Sequence, residues 1–239
     1  MNREMVIRWR RSGAAMLAVA AIAISGCATG PDANPRDPLE PFNRGVYQFN
    51  EAVDTAVLRP VAQGYVAVVP SPVRTGVGNF FANLRDAWSA LNAALQARPQ
   101  PAAENFMRFS VNTFLGLGGV LDIASEMGIP RTTLDFGHTL GRWGVPPGPY
   151  LVLPLLGPST VRETVALPVD RRGDPVSQGV DDVATRNSAQ ALRLVDTRAS
   201  LLRAGELLEQ AALDKYGFTR DAYLARRQRQ IDASRGDDE

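Results

Sequence analysis

The chain has 239 residues, a 45 % apolar and 21 % charged composition, and 26 basic against 25 acidic side chains. Balanced charge offers no field for holding nucleic acid, and the apolar fraction excludes a disordered chain. One cysteine and one histidine exclude a disulfide framework and any metal site built from several thiolates or imidazoles, so no metal or small-molecule cofactor is expected.

The amino terminus reads as an address. Arg3, Arg8, Arg10 and Arg11 precede an unbroken apolar run from Ala14 to Ile24, too short to span a membrane and right for a secretory signal. Ile24-Ser25-Gly26-Cys27 then resembles the bacterial lipobox, which implies cleavage after residue 26 and acylation of Cys27. A signal over 1–26 loses the basic excess and leaves a mature charge of −2. In lipoproteins of this kind an aspartate after the cysteine favours inner-membrane retention; Ala28 there points to the outer membrane, periplasmic leaflet.

Residues 27–38 are rich in Pro, Gly, Asp and Asn without apolar periodicity, so a lipidated tether is expected, followed by one body over 39–231 and a charged tail over 232–239. Phe42, Val46, Phe49 and Val53 recur at helical spacing up to Pro60, which closes the segment. Ser71 as N-cap and Pro72 as first helical residue open the clearest helix, striped by Val73, Val77, Phe80, Leu84, Trp88, Leu91 and Leu95 and stopped by Pro99. Periodicity by itself favours packing of that stripe on a core. A helix over Ala102–Leu115 carries Phe106, Met107, Phe109, Val111, Phe114 and Leu115 around much of its girth, so it is buried on several sides in protein or lipid.

Gly116, Gly118 and Gly119 permit a turn, and short helices follow over Val120–Met127 and Leu134–Trp143. Asn187–Asp214 has a one-sided helical pattern through Leu192, Val195, Ala199 and Leu202, and Thr219 is placed to cap a last helix bearing Arg226, Arg227 and Arg229, a group most simply solvated. No convincing strand alternation is found, and the class is all-α.

Trp143 to Pro158 interrupts this pattern with sixteen residues that include five prolines and no charge, amide or aliphatic hydroxyl. It cannot be a regular helix, and no solvent-facing loop would be built from it. Two readings stand: a buried loop or edge β-hairpin covering a core, or an irregular loop at membrane depth, tolerated only if packed in protein or lining a water-filled cavity.

Ordered blocks now become visible: Asp37-Pro38-Leu39-Glu40-Pro41-Phe42-Asn43-Arg44 with Tyr47, Phe49, Asn50 and Arg59-Pro60; Arg108-Phe109, Asn112-Thr113, Gly118-Gly119, Asp122 and Ala124; Phe136-Gly137, Thr139-Leu140-Gly141, Gly144, Gly148-Pro149-Tyr150 and Leu153-Pro154; and, more weakly, Thr197-Arg198-Ala199 with Leu201-Leu202. Over about Asp37–Ile231 they resemble the MlaA (VacJ) family of outer-membrane lipoproteins. The resemblance implies a disc-like bundle of amphipathic helices embedded in one leaflet, with a central amphipathic channel bordered by the apolar Pro/Gly-rich hairpin. It also implies a non-enzymatic task, taking phospholipids that have strayed into the outer leaflet and passing them to a soluble periplasmic carrier, beside a trimeric porin. Gly141, Gly144, Pro146, Pro147, Gly148, Tyr150, Leu153 and Pro154 are the channel and hairpin candidates; Asp37, Pro38, Phe42, Asn43, Arg44, Tyr47, Phe49 and Asn50 are the family-motif candidates. Some members have glycine where this chain carries Pro146 and Pro147, a departure that bears on loop mobility. The alternative is an envelope lipoprotein that scaffolds porins or other partners without moving lipid.

No catalytic residue is expected. His138, three residues after Asp135, reads as a satisfied local pair, there is no Gly-x-Ser-x-Gly elbow or His-Glu-x-x-His, and Lys215 completes no Ser-x-x-Lys. Thr160 and Glu163 have capping-box spacing.

Overall fold

In the computed structural model, residues 34–236 are described; the expected signal, lipobox and Cys27 lie outside them. Helix α1 (Glu40–Val53) runs through a π-helical turn, Asp54–Leu58, directly into α2 (Arg59–Val68). Pro60 does not close the segment. It is the second residue of α2 within a continuous helix, and the wider π-helical turn before it accommodates the ring and the missing N–H.

Helices α3 (Ser71–Leu95) and α4 (Pro99–Phe114) pack along each other. Pro70 occupies the cap position of α3, with Ser71 already helical and no side-chain cap bond. After the glycine turn, where Leu117, Gly118 and Gly119 all have positive φ, come α5 (Ile123–Glu126) and α6 (Phe136–Arg142). Asp135 and His138 form a reciprocal capping box at the start of α6, so the histidine is structural. His138 Nε2 also lies 2.9 Å from Gln230 Oε1.

The apolar segment is a two-stranded antiparallel hairpin, β1 (Tyr150–Leu153) and β2 (Gly157–Thr160), with Tyr150 opposite Thr160 and Leu153 opposite Gly157. The edge β-hairpin was one of the two readings of this segment, although five prolines mask any strand alternation. Tyr150 and Val152 nevertheless point inward and are buried.

Helices α7 (Val161–Gly173), α8 (Pro175–Gly179), α9 (Val183–Ser200), α10 (Leu202–Ala211) and α11 (Lys215–Gly236) complete the chain. The pattern expected over Asn187–Asp214 is thus two helices broken at Leu201. The last helix starts four residues before Thr219, and it carries residues 232–236, assigned above to the tail, with Ser234 buried.

Beside a small apolar core of Tyr150, Val152 and Tyr216, α3 and α4 carry an inverted distribution of polarity. Asn43, Asn83, Asp86, Asn92, Asn105, Arg108, Asn112 and Thr139 are among the largest fully buried side chains, while Phe42, Phe49, Val73, Leu91, Leu95, Phe106 and Met107 are exposed. On α3 the buried positions are Gly76, Phe81, Asn83, Asp86, Ser89, Asn92 and Ala93. Of the apolar stripe, Val73, Phe80, Leu91 and Leu95 are exposed and Val77, Leu84 and Trp88 half-buried, so both ends of the stripe face out, opposite to what periodicity suggested. On α4 the inward residues are Asn105, Arg108 and Asn112, while Phe114 is 84 % exposed. Soluble monomers rarely expose so much contiguous apolar surface.

Polar interiors demand complete hydrogen bonding. Arg108, 1 % exposed, meets Asp122 at 2.7 Å, Asp86 at 3.4 Å and the Ser125 hydroxyl at 3.0 Å. Arg131 supplies a second cation to Asp86 at 3.0 Å, and Asn112 donates to Asp122 while accepting from the Ala124 amide. The second sequence block is therefore a charge-and-amide lock joining α3, α4 and α5.

Candidate functional site

The first block is a cradle for the hairpin. Asn43 and Asn50 stand seven residues apart on α1, two turns along one face. Asn43 Nδ2 donates to the Tyr150 carbonyl at 3.0 Å and its Oδ1 accepts from the Val152 amide at 2.9 Å. Asn50 repeats the pattern one step on, donating to the Leu153 carbonyl at 3.0 Å and accepting from the Leu155 amide at 2.8 Å. The two carboxamides thus satisfy the free edge of β1, which would otherwise leave backbone groups unpaired.

Asp37, expected in the tether, is fully buried and belongs to the body. Its carboxylate accepts from Asn43 Nδ2 at 2.8 Å, from the Tyr216 hydroxyl and from Arg220 at 3.3 Å. Arg44 binds Glu40 and Asp214, each at 2.7 Å, with its guanidinium 4.4 Å from the centre of the Tyr216 ring. Tyr47 meets Tyr216 edge-on at 5.7 Å. Phe42 and Phe49 instead point outward, about half exposed, so the four apolar residues of α1 do not share one environment.

A cavity of about 430 Å³ lies under the hairpin tip, a size within the range of ligand pockets. Val53, Leu58, Val152, Leu155, Leu156 and Leu208 line it, together with Tyr47, Asn50, Glu51, Asp54 and Arg198, so the wall is amphipathic. Arg198 Nε bonds Asp54 at 2.5 Å, tying α9 to the π-helical turn. The Arg198 hydrogen bond holds the Asp54 carboxyl below the ordinary carboxylate range, against the opposing effect of burial. Leu155 has φ +63°, a left-handed conformation costly for a side chain of this size. Leu155 and Leu156 are exposed at the tip.

The hairpin candidates divide. Leu153 is held through its carbonyl, and Pro154 is an exposed tip residue. Tyr150 is not at the wall of this cavity but in the core with Tyr216 and Val152. Gly141 is a packing glycine, since a Cβ there would stand 2.7 Å from Ile231 Cδ1 and 3.0 Å from an Arg162 nitrogen. Gly144, Pro146, Pro147 and Gly148 form an exposed approach to the hairpin, with Gly144 at φ +93°. Pro147 and Gly148 line a different cavity, at the hairpin base. Pro38 precedes the first turn of α1, half-buried.

Sequence reasoning missed Glu51 and Asp54, which carry no motif. Arg198 lay in the weak fourth block, and its meaning emerges only once it meets Asp54. Among the described residues no group of three or more His, Cys, Asp or Glu is placed to hold a metal ion, and no helix is long and apolar enough to cross a membrane.

Residues 35–230 match the sequence profile of the MlaA lipoprotein family. The chain belongs to the MlaA family. The Escherichia coli K12 protein named intermembrane phospholipid transport system lipoprotein MlaA is 37 % identical over 222 residues, covering 88 % of this chain and 85 % of that one. The Haemophilus influenzae protein of the same name is 38 % identical over 216 residues, covering 86 % and 84 %. A solved structure described as the structural basis for maintenance of bacterial outer membrane lipid asymmetry superposes with a TM-score of 0.68 at 35 % identity, covering 82 % of this chain and 98 % of that chain. The mostly helical fold is thus the MlaA fold.

Proposed function

We propose that this protein is an envelope lipoprotein, anchored through Cys27 in the periplasmic leaflet of the outer membrane, that removes phospholipid from the outer leaflet and passes it to a soluble periplasmic carrier. The relatives' names and the lipid-asymmetry structure support the transport reading. The observation that carries it is the inverted polarity: α3 and α4 turn apolar side chains outward and amides and charges inward. That arrangement suits a body wrapped by lipid tails. Moving an exposed Phe or Leu into hydrocarbon is worth roughly 1–2 kcal/mol each, and the acyl anchor adds a second attachment.

A phospholipid flips slowly because its charged head must cross hydrocarbon. An amphipathic passage lowers that barrier by offering Glu51, Asp54, Arg198 and Asn50 to the head and the hairpin leucines to the tails. The Asn43 and Asn50 clamps hold the hairpin over the passage. Lipid movement breaks no covalent bond, so the protein needs binding groups and a path rather than a catalytic constellation. A trimeric porin is the neighbour proposed for the outer apolar belt.

The test is complementation of a deletion strain. Intact protein restores low outer-leaflet phospholipid and detergent resistance. Leu156→Arg, which puts a charge at the hairpin tip, remains anchored but fails to restore either. Full restoration by that variant contradicts transport through this cavity and supports a scaffold instead.

A further inference from the structure

A second cavity, about 610 Å³, opens at the base of the hairpin beside Pro147 and Gly148, again within the range of ligand sites. Its charged lining residues are Arg36, Arg162, Arg227 and Arg229, and no carboxylate is among the lining residues. Two of the four are compensated from behind. Arg162 gives Nε and Nη2 to Glu163 and Nη1 to the Val145 carbonyl. Arg227 directs its Nη groups to Asp135 and Glu163. Arg227 Nε, however, is buried without a hydrogen-bond partner, an unmet donor of a kind native structures rarely leave. Arg36 and Arg229 at the mouth are exposed and have no carboxylate partner in any described ion pair. Against four guanidinium charges stand Glu163, Asp135 and Asp232, the last accepting from the lining Gln228 amide at 2.8 Å, so the cluster keeps a net positive charge.

We propose that this cavity is a phosphoryl-anion site. Guanidinium groups match phosphate oxygens in geometry and charge, and Arg36 and Arg229 stand exposed at the mouth with no carboxylate in a described ion pair. The shared chemistry is a phosphodiester or phosphate, carried by a phospholipid head or by free phosphate. The lipid source follows from placement: Arg36 is nine residues from Cys27, so at most roughly 30 Å of extended chain separates the cavity from the proposed anchor. This identification of the source rests on the transport reading above; the anion site itself does not.

The test is calorimetric titration of the acylated full-length protein in non-ionic detergent with three probes: dihexanoyl phosphatidylglycerol, inorganic phosphate and dihexanoylglycerol. Arg36→Ser/Arg229→Ser removes the two exposed cations; Arg229 Nε bonds the Ala225 carbonyl of its own helix, and neither residue belongs to a described ion pair. Arg226→Ser, on the same helix but outside the cavity lining, controls for general charge. The proposal predicts that the phosphatidylglycerol probe binds, that the double variant weakens it about tenfold or more, that Arg226→Ser leaves it unchanged, and that dihexanoylglycerol shows no dependence on these arginines. Arginine-dependent binding of inorganic phosphate without binding of the lipid keeps the anion site and overturns its lipid source. Equal lipid affinity in the native protein and the double variant, equal loss in Arg226→Ser, or no binding of either phosphorylated probe overturns the site. Lipid binding that survives loss of the arginines leaves the transport reading standing.

Discussion

Asn43 and Asn50 do at the scale of single residues what an extra strand would do for the hairpin edge. Each presents one donor and one acceptor to the backbone of β1 or the tip that follows it, a bidentate match that aspartate cannot make because an ionised carboxylate only accepts. Asn43→Ala strands the Tyr150 carbonyl, the Val152 amide and part of the Asp37 carboxylate in the interior. The expected loss is about 2–4 kcal/mol, read as a lower Tm in detergent. Asn50→Ala costs about 1–2 kcal/mol and raises amide exchange at Leu155. A single sequence shows such a residue only as an asparagine on a helix; the hydrogen-bond partners lie more than 100 residues away. Arg108 is equally opaque, being one arginine on a helix full of aromatic neighbours. Arg108→Gln leaves Asp86 and Asp122 short of a buried cation and is expected to destabilise by about 3–5 kcal/mol, with most of the protein lost from the membrane fraction. Acid acts through Asp54. Because Arg198 depresses its carboxyl in the folded state, the contribution of that pair is fully present above the ordinary carboxylate value near 3.9 and is lost as pH falls through the lower folded value. Thermal melts from pH 7 to pH 3 should therefore show the stability gap between native protein and Asp54→Asn closing as pH falls.

Elements were more readable than residues, up to their orientation. The span of α3 and the glycine turn follow from local chemistry, in which proline at a helix start and positive φ have short-range causes; Asp135, expected inside a helix from Leu134, is instead the cap of α6. Sidedness does not follow locally. Periodicity on α3 shows that Phe80, Leu84, Leu91 and Leu95 share a face, yet whether that face meets protein or lipid depends on the surrounding medium. The opposite stripe of Asn83, Asp86, Ser89 and Asn92 held the missing signal, because four buried polar residues at helical spacing require polar partners, which α4 supplies to Asn83 and Asp86 and the Leu134 backbone and Thr139 supply to Ser89 and Asn92. The hairpin was legible as an apolar unit with an edge β-hairpin among its readings, but its strand positions were not, since prolines at 154 and 158 interrupt the alternation begun by Tyr150 and Val152. At this scale the glycine turn is exacting: a Cβ on Gly116 would lie 2.2 Å from the Leu121 carbonyl oxygen, a contact with backbone that cannot rotate away. Gly116→Ala is expected to open the α4–α5 junction, measured as faster exchange at Leu121 and a fall in Tm.

For the whole molecule, inverted polarity, an amphipathic cavity under a strained leucine tip and a basic cavity at the hairpin base describe one object: a polar-cored body clothed in apolar side chains. Its stability and its location are coupled, because the surface that repels water is the surface that lipid would cover. Replacing Leu91 and Leu95 together by Ser should leave helix content unchanged while weakening association of the non-acylated protein with vesicles, which separates lipid contact from folding. The most direct measurement is photo-crosslinking in living cells from a benzoylphenylalanine placed at Leu156, on the wall of the tip cavity. Covalent capture of phospholipid there, abolished by a second substitution of Asn50 that releases the hairpin, is the result this account predicts. Capture of protein alone, with no lipid adduct while the variant remains fully functional, would contradict it.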